Sequence, residues 1–127
     1  MKRALSLRSG LDFQRVWDDG KSWLHPLLVL RARANGMETS RFGFVASKKI
    51  GTIVARNRAK RLMRDAVRQC LPRIAPGWDL VFIARGDVAK AEFKDVDAVV
   101  ENLLRRAHLI NITEHAIRDA CSVKQVR

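Results

Sequence analysis

The chain has 127 residues, with no tyrosine, two cysteines, three histidines and three prolines, and it is short of acid: 13 Asp and Glu stand against 25 Lys and Arg. Each shortage excludes something. Cys70 and Cys121 are too few and too distant for a disulfide framework and are expected to be reduced core thiols of a cytoplasmic protein. There is no Cys-x-x-Cys pair and no His-x-x-x-His spacing, so a structural zinc site is not expected. His25, His108 and His115 are scattered, and none neighbours a plausible nucleophile. Asp18 and Asp19 are adjacent on a helix and diverge, so they cannot share a metal ion. No protein constellation for phosphodiester hydrolysis emerges. No apolar run approaches the roughly 18 residues that span a bilayer. Arg8 and Asp12 interrupt any signal-type segment after the basic start Lys2-Arg3. The shortage of acid leaves a net charge of +12. A chain so charged calls for a polyanion, with nucleic acid the first candidate and an anionic membrane surface the second.

What is present is a globular composition and a concentrated charge. Hydrophobic residues make up 47%, as in an ordinary folded domain. The length suits one domain around one core. A single domain over 1–127 is expected, ordered over about 9–108, with 109–127 unassigned. Residues 41–68 hold nine basic residues and one acid, so eight of the twelve net charges fall in one block. Concentration of this kind favours a binding surface over general solubility.

Ser9-Gly10-Leu11-Asp12 reads as a capping box. Phe13, Val16 and Trp17 follow at helical spacing, and Gly20 is a stop, which predicts a helix over 10–19. Leu27–Ala34 alternates as a strand, with Leu28, Leu30, Ala32 and Ala34 opposite Val29, Arg31 and Arg33. Asn35-Gly36 signals a hairpin returning as a strand over 41–47. Another short strand is expected near 22–25. Ile53–Cys70 is the clearest helix, ended by Leu71-Pro72 and Pro76-Gly77. Asp79–Arg85 contains the unbroken apolar run Leu80-Val81-Phe82-Ile83-Ala84, expected of a strand buried on both faces. Phe93, Val96, Val99, Val100, Leu103, Leu104 and Ala107 mark an amphipathic helix. Thr113-Glu114 would open a short last helix through Ala120. The class is α+β: one sheet with helices packed against it.

At about 100° per residue, the 53–70 helix gathers Ala55, Ala59, Leu62, Met63, Ala66 and Cys70 on a core face. Asn57, Arg61, Arg64 and Arg68 centre the opposite face, with Lys60 on its shoulder and Arg56 and Arg58 at the borders. A solvated helix face normally interleaves acids to gain i,i+4 pairs. Here Arg56, Lys60, Arg64 and Arg68 stack like charges, which costs a few tenths of a kcal/mol per pair. That cost points to an anionic partner, RNA or DNA. Guanidinium groups bind phosphate bidentately and stack on bases. Just upstream, Ser47-Lys48-Lys49-Ile50-Gly51 forms a loop entering the helix, where Thr52 can cap. Free amides at a helix N-terminus also attract phosphate. A membrane partner fits less well, because this face lacks large apolar residues to insert.

The run Phe44-Val45-Ala46-Ser47-Lys48-Lys49-Ile50-Gly51, followed by Ala55-Arg56-Asn57-Arg58-Ala59-Lys60-Arg61-Leu62-Met63-Arg64, closely resembles the core of the bacterial ribonuclease P protein component. Leu11-Asp12-Phe13-Gln14-Arg15-Val16-Trp17 and Gly20 are similar to that family's first helix, and Asp79–Arg85 to its central strand. The resemblance covers about residues 9–106. It implies an αβββαβα fold with one mixed sheet and a left-handed βαβ crossover. It also implies a subunit of a ribonucleoprotein that removes the 5′ leader of precursor tRNA. In that family the RNA subunit and its Mg²⁺ carry out hydrolysis, while the protein binds the RNA subunit and the leader. Neither a membrane nor DNA is expected as a partner.

Residue roles follow from the same resemblance. Lys48, Lys49, Arg56, Asn57 and Arg58 match positions facing the RNA subunit near its active site. Phe13, Trp17, Lys60, Arg61, Arg64 and Arg68 would serve the leader. An aromatic face beside a basic groove suits sequence-tolerant single-strand binding, although Phe13 and Trp17 would also serve as plain core packing. Arg31 stands where some relatives place a tyrosine on the cleft floor, and would contribute charge instead. Val45 replaces a position that can be serine. A ribosomal or ribosome-assembly RNA-binding protein would account for the charge and fold, but not for the 44–64 pattern.

Overall fold

The structure, a computed structural model, describes Leu7 and residues 10–110. Its order is α1 (Gly10–Asp19), β1 (Lys21–Leu24), β2 (Leu28–Ala34), β3 (Arg41–Val45), α2 (Ile53–Cys70), β4 (Trp78–Ala84) and α3 (Phe93–Arg106). This is the expected αβββαβα order. The Ser9 cap, His115, Cys121 and the helix expected over 113–120 lie outside the described residues. Among the described residues no helix is long and apolar enough to cross a membrane.

The four strands lie in the order β1-β2-β4-β3. β4 runs antiparallel to β2 and parallel to β3, with Phe82 beside both Leu30 and Phe44. The hairpin expected at Asn35-Gly36 is therefore absent, because β2 and β3 are separated by the whole of β4. The cause is tertiary: only a strand flanked on both sides can bury the apolar run from Leu80 onward, so β4 takes the centre. Residues 35–40 bridge two strand spacings instead of one, roughly 10 Å. Asn35 still makes a turn there. Its Oδ1 accepts from the Met37 amide at 2.7 Å, and its Nδ2 donates to the Thr39 carbonyl at 3.1 Å. The third strand also stops at Val45, two residues short of expectation, and Ala34 is exposed.

The sheet has two covered faces. Leu28, Leu30, Phe42, Leu80 and Phe82 meet Leu62, Met63 and Val67 of α2 and Val96, Val100, Leu103 and Leu104 of α3, all buried. Cys70 belongs to this core as expected, and burial pushes its thiol pKa up, the condition of an unreactive thiol. On the opposite face, Val16 of α1 and Leu7 bury against Val81, with Phe13, Val45 and Ile83 packed around them. Gly43 makes this approach possible: a Cβ there would lie 2.7 Å from the Phe13 ring. Gly43→Ala is expected to lower stability by about 1–3 kcal/mol through overpacking. Urea denaturation checks this, and an unchanged midpoint would mean that the ring yields freely.

Asp97 of α3 carries a second local cost. Its Oδ1 is buried without a partner, and burial, followed by the charge of Glu101, raises its pKa. The folded chain then holds this proton to higher pH than the unfolded chain. Its contribution to stability improves as pH falls from the raised value towards the ordinary 3.8, and is unfavourable above that window. Asp97→Asn is expected to raise the denaturation midpoint at pH 7 and to lose that advantage near pH 4. A variant less stable than the native chain at pH 7 would contradict this reading.

Candidate nucleic-acid interface

The basic helix begins as its sequence demands. A single turn at Lys48–Ile50 holds both lysines exposed. Gly51 then takes φ +134°, a left-handed-side conformation that favours glycine. The Thr52 hydroxyl accepts from the Ala55 amide at 3.1 Å and caps α2. Ala59, Leu62, Met63, Ala66, Val67 and Cys70 face the core. Asn57, Arg58, Arg61, Arg64 and Arg68 are exposed, while Arg56 and Lys60 are half-buried. Asp65 pairs with Arg68 at 3.4 Å. Among the described residues no carboxylate pairs with the cations from Lys48 to Arg64, so this face keeps its charge for a partner.

Three arginines of α2 have distinct surroundings. Arg64 lies over the Phe44 ring, 5.6 Å from its centroid, and Phe44 in turn stacks on Phe82 at 6.0 Å. Its guanidinium is thus seated against the edge strand β3. Arg58 donates from Nε to the Ala89 carbonyl at 2.7 Å and from Nη2 to that of Ala91 at 3.5 Å, which ties α2 to the connector before α3. Arg56 has its Nε shut off from solvent without a partner.

On the other sheet face, α1 crosses from β3 to β2. Phe13 is half-buried over Gly43 and serves mainly as packing. Trp17 is 44% exposed, which leaves its indole available to a base. Arg31 holds it: the guanidinium lies 5.0 Å from the indole centroid, Nη2 donates to the Trp17 carbonyl at 2.5 Å, and Nη1 donates to Ser22 Oγ at 2.7 Å. The last turn of α1 has no basic residue of its own, so Arg31 supplies the cation that a helix C-terminus favours. Both terminal nitrogens are thus engaged within the fold, while Nε is buried without a partner.

The residues expected to serve the leader therefore fall in two groups. Phe13, Trp17 and Arg31 lie with α1 on one face, and Lys60, Arg61, Arg64 and Arg68 lie on α2 across the sheet. Edge strand β3 separates them, with Phe44 under Arg64 and Val45 packed in the α1 cluster.

A network that the sequence reading missed fixes α1 to this edge. Asp79 is fully buried. Arg41 meets it through Nε and Nη2, both at 2.9 Å, and reaches Asp12 of α1 at 3.1 Å. Asn35 adds a third donor to Asp79 at 2.9 Å. The hydrogen bonds and charge of Asp79, then that of Asp12, raise the Arg41 pKa against the opposing effect of burial. The signal lay in the sequence: a carboxylate opening a doubly buried strand must find a cation.

Among the described residues no group of three or more His, Cys, Asp or Glu could hold a metal ion. Together the fold and site define a small α+β RNA-binding protein, with an arginine-rich helix beside the edge strand β3 and an indole on the far face.

The family model described as Ribonuclease P matches residues 1–108. The chain is 46% identical over 111 residues to the ribonuclease P protein component of Roseiflexus castenholzii, covering 87% of this chain and 91% of that one. It is 45% identical over 112 residues to that of Herpetosiphon aurantiacus, covering 86% and 89%. The RNase P protein of Staphylococcus aureus superposes with a TM-score of 0.78 at 27% identity, covering 86% of this chain and 100% of that one. The RNase P protein of Thermotoga maritima gives 0.73 at 34%, covering 80% and 96%. The chain belongs to the ribonuclease P protein family.

Proposed function

We propose that the chain acts in the cytoplasm as the protein subunit of ribonuclease P, binding the RNA subunit and the 5′ leader of precursor tRNA to promote endonucleolytic removal of the leader. One observation carries this reading: the face of α2 and its entry loop present cations from Lys48 to Arg64 with no acid among the described residues paired to any of them. Lys48, Lys49, Arg56, Asn57 and Arg58 are assigned to the RNA subunit, and Lys60, Arg61, Arg64 and Arg68 to leader phosphates. Trp17 supplies a stacking surface for an unpaired base. Phe13 and Arg31 hold that surface in place.

In this reading the side chains bind and orient, and Mg²⁺ held by the RNA supplies the Lewis acid and activated water. The test is reconstitution with a bacterial ribonuclease P RNA and a precursor tRNA at low Mg²⁺. Added protein is expected to stimulate cleavage, and RNA-free protein to cleave nothing. Cleavage by the protein alone would overturn the mechanism. RNA copurifying with the chain is expected to be ribonuclease P RNA, and ribosomal RNA in its place would count for a ribosome-assembly role.

A further inference from the structure

A recess of about 220 Å³ opens where the first turn of α2 meets the connector between β4 and α3. Val54, Ala55 and Ala89 give it apolar walls, and Arg58, Asp87 and Lys90 reach its lining. Pockets for drug-sized ligands begin near ~300 Å³, so this one suits a smaller group such as a single planar ring. Arg58 is held there by two carbonyls, and a fixed guanidinium is a surface on which bases stack. Lys90 and Asp87 offer a donor and an acceptor to a ring edge.

The mouth is unusual for a phosphate surface. Ile53 and Val54 stand 67% and 77% exposed in the same turn of helix. Phosphate contacts have no use for two large aliphatic side chains, whereas an unstacked base does. The exposed Lys48 and Lys49 in the preceding turn would draw the backbone carrying that base.

We propose that this recess is a socket for one unpaired nucleobase of the RNA subunit. The inference rests on the function proposed above, which places this end of α2 against that RNA. Apolar walls, a fixed guanidinium and paired edge groups read a base by shape and edge, while the rest of α2 reads only charge.

The test is chemical probing of base edges in an in vitro transcribed bacterial ribonuclease P RNA, without precursor tRNA, bound to the full chain. Two variants are compared with it: Val54→Asp, at an exposed position, and Ala89→Met, which fills the recess without adding charge. The thermal midpoint of Ala89→Met confirms that it folds. The native chain is expected to protect one unpaired nucleotide. Both variants are expected to leave it reactive and to bind about tenfold more weakly, and Ala89→Met, which changes no charge, is expected to keep the native salt dependence. Base protection identical in the native chain and the variants, or no base protected, overturns the socket while leaving the proposed function intact. Failure of the native chain to bind this RNA overturns both.

Discussion

Replacing Arg61 and Arg64 together by alanine is expected to weaken RNA binding about a hundredfold at moderate salt, since a hydrogen bond to a charged group contributes about 1.5–3 kcal/mol. Both side chains are exposed on α2, and neither is paired with a carboxylate among the described residues. Their removal should therefore cost the fold little. The salt dependence separates this from general damage. If about six phosphates are contacted, log K falls with log salt at a slope of roughly −4 to −5. The double variant should flatten that slope by about one to two units. Filter binding across a salt series measures both quantities. An unchanged slope would place the binding surface elsewhere, with this helix face merely solvated.

Asp79→Ala is expected to be the most destabilising single change, by about 3–5 kcal/mol, because it strands a partly buried Arg41. That is a large fraction of a typical folding free energy of about 5–15 kcal/mol. The carboxylate accepts two bonds from Arg41 and one from Asn35, and Arg41 also reaches Asp12 of α1. The variant thus loosens the helix that carries Trp17 as well as the sheet edge. Asp79→Asn keeps the shape but not the charge, and should fall between the native chain and the alanine variant. Urea denaturation ranks the three. An alanine variant with the native midpoint would mean that Arg41 finds adequate solvation without Asp79.

The Asp79 network also marks where sequence reading stops. The α2 helix was legible because its apolar residues recur at helical period and its cations crowd the other side. β4 was legible as a doubly buried strand because its apolar run has no polar break. The hairpin at Asn35-Gly36 was misread because turn propensity is local, while strand order is decided by which strand most needs two neighbours. For the same reason Arg31 read as a free charge beside the cleft. Its partners, the Trp17 and Gly20 carbonyls and Ser22, come within reach only after α1 and β1 fold against β2. Arg58 read as an RNA contact alone, since nothing in a helical wheel reveals the carbonyls of Ala89 and Ala91.

The place of β4 between β2 and β3 also governs when the protein can exist at all. Among the described residues β3 has no partner strand other than β4 in the sheet, and β4 follows it by roughly 35 residues, about 2–7 s of ribosomal synthesis at roughly 5–20 residues per second. Throughout that interval the nascent chain holds its arginine-rich helix sequence without the central strand that joins β3 to the β1–β2 pair. Closure comes late and through distant contacts, the regime of slow folding. A chain ended before Trp78 would retain most of the positive charge and lack the strand that turns it into a surface.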